Sequence, residues 1–180
     1  RGVVAAPVVE GQLLCAGRAF RYLGVDAFVE PLVRPQLARA GTEGAVAGAL
    51  LDSRSFAASR ATLHRLEAEV GDRLTVLVGG RMFAARCAFA IEDASAAGLD
   101  DVLLVDVATA QEWKDRLRHV DRIDLVLDDG IDAEALAQRA GKGLRIEPVA
   151  MRENFRELTA AFRQNLEALG LLSLVVGAFL

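Results

Sequence analysis

The residues able to do chemistry are few and scattered. Acyl transfer needs a Ser or Cys nucleophile brought to a His base and an acid. The histidines are His64 and His119. Ser53, Ser55, Ser59 and Ser95 all lie outside a Gly-x-Ser-x-Gly frame, the sharp turn that exposes a hydrolase serine. His64 stands beside Arg65 in an expected helix. His119 follows Arg118 near a helix end, where a cation suits the dipole. Phosphate binding fares no better. The Gly-Lys-Gly of "GKGLR" (141–145) lacks the spacing of a phosphate-cradling loop, and a helix-to-strand turn explains it. The pairs Asp100-Asp101 and Asp128-Asp129, with Asp132, lack the glutamate that closes a twelve-residue calcium loop. They read as turns, which Asp and Gly favour. Cys15 and Cys87 cannot build a zinc site alone. They are either two separate buried thiols or one disulfide, which would imply an oxidising compartment. Trp113 either anchors a partner or packs in the core, and its large apolar surface favours the core. The expectation is therefore no catalytic, cofactor-binding or metal-binding residue, and no cofactor.

Composition narrows the class. The chain has 180 residues, 53% hydrophobic and 26% charged, with a net charge of −4. That is a globular balance, and the length suits one domain or two small lobes. Arg18, Arg21, Arg34, Arg39, Arg54 and Arg60 are scattered along the sequence. A nucleic-acid footprint would gather its cations on one face, so no nucleic-acid partner is expected. The chain opens at Arg1 without a basic region followed by an apolar one. It is expected to carry no signal peptide and to be a piece of something longer.

The elements follow from periodicity. "VVAAPVVEGQLLC" (3–15) reads as a strand, a break at Glu10-Gly11 and a second strand start. Pro7 suits an edge. "RAFRYLGVDAF" (18–28) is a further strand, followed by a loop with Pro31 and Pro35. "GAVAGALLDS" (44–53) reads as a short strand, with Ser53 capping a helix over "RSFAASRATLHRLEAEV" (54–70). Leu74, Val76 and Val78 alternate with Arg73, Thr75 and Leu77. Gly79-Gly80 turns the chain, and residues 82–91 return as the partner strand. A strand over 102–105 precedes a helix in which Thr109 and Glu112 have capping-box spacing. Ile123, Leu125 and Leu127 share one face of another strand. A short helix ends at Gly141, "LRIEPV" is the last strand, and helix follows from Met151. No repeat is apparent.

That last helix changes character. Phe155, Leu158, Phe162, Asn165, Leu169 and Leu172 form a heptad seam, with charges on the other faces up to Glu167. Residues 168–180 then carry no charge. A helix apolar all round is leaving water. Thirteen residues fall short of the roughly 20 that span a bilayer. Two readings follow: the start of a truncated transmembrane helix, or a buried core helix.

"VGDRLTVLVGG", "VLLVDVATAQEW", "DRIDLVLDDG" and "FRQNLEALGLLSLVVGAFL" resemble, in this order, segments of the extracytoplasmic core domain of MacB/FtsX-like ABC transporter permeases. The resemblance covers residues 45–180; earlier residues match loosely through "APVVEGQ" and "LGVD". The mixed order of strands and helices already reads as α+β; the resemblance implies one domain of two lobes ending in a long C-terminal helix. One lobe would be 1–45 with 120–165, membrane-proximal, the other an inserted lobe over 46–118. Residues 166–180 would start a truncated transmembrane helix. It further implies the periplasmic side of the cytoplasmic membrane, a cytoplasmic ATPase subunit and a second permease copy. It implies a periplasmic partner or a lipid or lipoprotein substrate, and no catalysis in this domain. The alternative is a soluble α+β domain of unrelated enzyme or binding function, ending in a core helix.

Overall fold

The computed structural model describes residues 2–35, 48, 50, 52–92, 99–128, 130–139 and 147. The fold is α+β. In chain order the elements are β1 (Val3–Cys15), β2 (Arg18–Val25), α1 (Glu30–Val33), β3 (Ser55–Ser59) and α2 (Arg60–Leu66), then β4 (Arg73–Val78) and β5 (Arg81–Ile91). They are followed by β6 (Val102–Asp106), α3 (Val107–Lys114), β7 (Arg122–Leu127) and α4 (Ala133–Arg139). The chain divides into two compact units, Arg1–Asp129 and Gly130–Leu180; of the second, α4 is the described element.

Six strands close on themselves. The order β2-β6-β3-β5-β4-β1 returns to β2 through the β1–β2 hairpin. β1 meets β4 at Leu14↔Leu77. The β2–β6 and β3–β5 pairs are parallel and the others antiparallel. Both expected lobes, 1–45 with 120–165 and 46–118, send strands into this one sheet. Because side chains alternate across a strand, the ring has two apolar faces. Val9, Leu13, Phe20, Tyr22, Phe56 and Leu103 cluster with Leu63 and Leu66 of α2 and Trp113 of α3. Val8, Leu23, Val25, Ala57 and Leu104 cluster with Leu50 and Leu99.

Several local expectations are corrected. β1 runs unbroken through Glu10-Gly11. Gly11 sits opposite Tyr22, and a Cβ there would lie 2.4 Å from the Tyr22 hydroxyl oxygen. The glycine admits a close ring, not a break. β2 stops at Val25, because Asp26 Oδ1 accepts from the Phe28 N–H at 2.9 Å and turns the chain. The loop expected around Pro31 forms α1, with the proline in its first turn, where its missing N–H is harmless. Gly48 and Leu50 have helical backbone where a strand over 44–53 was expected; a short apolar run fits either period. Residues 55–59 form β3 rather than helix. All five are buried, between β5 and β6, so sheet pairing overrides local preference. Consequently Ser59, not Ser53, caps the following helix. Asp106 caps α3, and Thr109 lies inside it, buried.

The structure also contains the repeat that the sequence hides. The series β1-β2-β3-α2 is matched by β4-β5-β6-α3. Both hairpins turn on two positive-φ residues, Ala16-Gly17 and Gly79-Gly80, as two-residue hairpin loops require. Gly-Arg-x-Phe follows in each, ending at Phe20 and Phe83. Each closing strand pairs in parallel with the other repeat's hairpin, so the two repeats are exchanged. Thr62 Oγ1 accepts from the Asp101 N–H at 3.2 Å. Thr109 Oγ1 accepts from the Arg54 N–H at 3.4 Å. Asp101 and Arg54 both have positive φ and precede β6 and β3 respectively. Their carbonyls accept from Arg21 and Arg86 of the second hairpin strands, at 2.8 and 2.9 Å. Arg65 pairs with Asp101 at 2.6 Å, and Glu112 with Arg54 at 3.1 Å. The same two positions thus hold an ion pair in each repeat, with charges reversed.

That equivalence is testable. Arg54→Glu or Glu112→Arg alone is expected to cost up to about 1 kcal/mol, the range for exposed pairs. The double variant should recover most of the loss in a urea-unfolding cycle. Additive losses would show that the pair does not couple.

Among the described residues no helix is long and apolar enough to cross a membrane. The strand expected near 144–149, the helix over 151–180 and the segment 166–180 lie outside the described residues, apart from residue 147.

Candidate functional site

The fold keeps the chemistry-bearing residues apart. His64 is exposed on α2, and His119 is exposed after α3, with Nδ1 3.0 Å from the Leu117 carbonyl oxygen. The Ser59 hydroxyl is buried against Thr62 Oγ1 at 2.7 Å and accepts from the Thr62 N–H, so it is occupied as a cap. The Ser55 hydroxyl donates to the Asp52 carbonyl at 2.5 Å. Ser95, Asp129 and residues 141–145 lie outside the described residues. Asp101 lies in a turn, and Asp128 accepts from the Gly2 N–H at 2.8 Å. Among the described residues no three of His, Cys, Asp and Glu converge to hold a metal. Cys15 and Cys87 are free, buried thiols. Burial pushes both up in pKa, away from the reactive thiolate. Trp113 is 2% exposed. Tyr22 stands edge-on to it with ring centroids 5.5 Å apart, and Phe83 is tilted at 6.1 Å.

What the fold does assemble is a chain of alternating charge along β1, β7 and α1. Glu30 of α1, 3% exposed, takes Arg34 on one carboxylate oxygen. Arg34 reaches Asp124 of β7. Asp124 takes Arg122 Nε on its other oxygen at 2.7 Å. Arg122 reaches Glu10 of β1, and Arg21 of β2 lies 4.0 Å from the same Glu10 oxygen. Beside this, Lys114 of α3 holds both Asp121 oxygens at 2.6 and 2.7 Å and donates to the Glu10 carbonyl at 3.2 Å. Asp121 in turn accepts from the Glu10 N–H at 2.9 Å.

Sequence reasoning treated the arginines as scattered cations. Only Glu30 and Arg34 have a local i,i+4 spacing that could have marked them, whereas Arg34 and Asp124 are 90 residues apart and Arg122 and Glu10 are 112 apart. The electrostatics fit a closed array. Burial works against the Arg122 charge, but hydrogen bonds and attraction from Asp124 and Glu10 prevail, so its pKa is raised. Burial likewise opposes the Asp121 carboxylate. Lys114 and the Glu10 N–H outweigh it, and its pKa is lowered. Such an array fixes the relative placement of three elements; it offers no open acid, base or nucleophile to a substrate.

The described fold is a closed sheet with β7 paired to the start of β1. The chain is 31% identical over 183 aligned positions, 98% of its length, to the uncharacterised ABC transporter permease protein Rv0987 of Mycobacterium tuberculosis. The chain is thus similar to a segment of an ABC transporter permease. It spans 21% of the length of that relative. Among solved structures it is similar to the periplasmic region of MacB from Actinobacillus actinomycetemcomitans, at 13% identity and a TM-score of 0.46, over 75% of this chain and 62% of that one. No family model matches the chain.

Proposed function

We propose that this domain couples ATP-driven movement of transmembrane helices to the handling of a substrate or partner outside the cytoplasmic membrane. The domain itself is non-catalytic. ATP is hydrolysed by a separate cytoplasmic subunit, and two permease copies act together at the inner membrane. A lipid, a lipoprotein or a periplasmic protein is what the outer face meets. The similarity of nearly the whole chain to a fifth of a permease carries this reading.

The geometry supports it. β1 and β7 pair antiparallel from Val3↔Leu127 to Val8↔Arg122, and the Gly2 N–H donates to Asp128. The strands by which the chain enters and leaves the barrel therefore lie side by side. A domain set between two neighbouring membrane helices needs that arrangement, and a shift of either helix would act on this strand pair first. Rearrangement of packed elements is the physical vehicle for such coupling.

The test uses the whole permease with its ATPase in lipid nanodiscs. Amide exchange in 3–8 and 122–127 should differ between the nucleotide-free and vanadate-trapped states. Identical exchange in both states would overturn the coupling role.

A further inference from the structure

Residues 3–7 of β1 lie beyond the reach of β2, whose pairing begins at Val8↔Val25. Among the described residues they pair with β7 alone. A two-stranded ribbon by itself is marginal in water. α1 packs on both of its strands. Phe28 and Leu32 point outward, 70% and 63% exposed, Pro31 and Val33 are half-buried, and the Glu30 carboxylate points in. The ion chain ties α1 to the ribbon, and Asp124 is its centre, with Arg122 of its own strand on one oxygen and Arg34 on the other.

The clasp is imperfect. Among the described residues Glu30 Oε2 is buried without a hydrogen-bond partner. A buried carboxylate oxygen left unmatched favours the open, hydrated state. Buried ion pairs recover little of their desolvation cost and serve placement more than stability. A fastening of this kind is easily released.

We propose that the β1–β7 ribbon is a lever, and that the Glu30–Arg34–Asp124–Arg122 chain is a releasable clasp joining it to α1 and the barrel. This rests on the reading of the chain as a coupling domain. Pulling on the chain ends would part Arg34 from Asp124, free the segment 26–35, and leave the barrel intact.

Hydrogen exchange of the 180-residue chain, read by mass spectrometry, tests the clasp without the membrane. Asp124→Asn keeps the side chain's shape and removes its charge; Arg34→Gln breaks the chain at its outer member. In both, amides over 26–35 and 122–127 should exchange about tenfold faster, while β3 to β6 stay unchanged, as for a local opening. Uniformly faster exchange, or a barrel that fails to form in both variants, would make these residues ordinary parts of the core and overturn the proposal. Unchanged exchange would overturn it too. None of these results bears on the permease reading, which stands or falls on the nucleotide-dependent measurement.

Discussion

Trp113→Ala is expected to destabilise the chain by about 3–5 kcal/mol, the range for removing a large aromatic from a packed core. The indole is among the largest fully buried side chains and sits between Tyr22 and Phe83. It closes the cluster where α3 meets the barrel. Its Nε1 finds no hydrogen-bond partner among the described residues, so the expected loss is one of packing. Trp113→Phe should keep much of the stability for the same reason. Thermal unfolding followed by circular dichroism is the measurement, since the variant lacks its only tryptophan. A variant as stable as the parent would return Trp113 to the role of a partner anchor.

Gly24→Val is expected to cost about 3 kcal/mol or more, at the upper end for overpacking a core. A Cβ on Gly24 would lie 2.2 Å from the Ala110 Cβ. That gap cannot be relieved by a rotamer change, because neither atom is at the end of a flexible side chain. Something larger must move: α3 from β2, and with it Trp113. The smaller change Gly24→Ala should be rescued in part by Ala110→Gly, apart from the helix cost of about 1 kcal/mol for that glycine. Urea unfolding of the two single variants and the double variant measures this. Full tolerance of Gly24→Val would mean that α3 does not sit against β2 as described.

The elements that were legible in the sequence carry their own local signal. The β4–β5 hairpin has Leu74, Val76 and Val78 at alternate positions and a Gly79-Gly80 turn, and it forms as read. The strand-to-helix junction at β6–α3 also stands where expected, though its cap is Asp106 and not Thr109. What the sequence concealed depends on distant partners. Residues 55–59 carry a helix-compatible composition and become a strand because β5 and β6 flank them. The internal repeat survives in a few turn and cap positions, and in an ion pair whose charges have been exchanged, so composition cannot reveal it. The ion chain is the extreme case: Glu30–Arg34 has local i,i+4 spacing, but Arg34–Asp124 and Arg122–Glu10 are joined by topology alone. The resemblance of "VGDRLTVLVGG" and "VLLVDVATAQEW" to permease segments pointed to a transporter domain, and neither segment announces the ion chain.

Function then rests on where this barrel stands. Met82 is 76% exposed at the β4–β5 hairpin, and the native cysteines are buried, so Met82→Cys in the whole permease gives one reactive thiol in this domain. Labelling it in spheroplasts with a membrane-impermeant maleimide locates the domain directly. The account predicts labelling of intact spheroplasts as fast as that of lysed ones. Labelling only after lysis would place the domain in the cytoplasm and contradict the account.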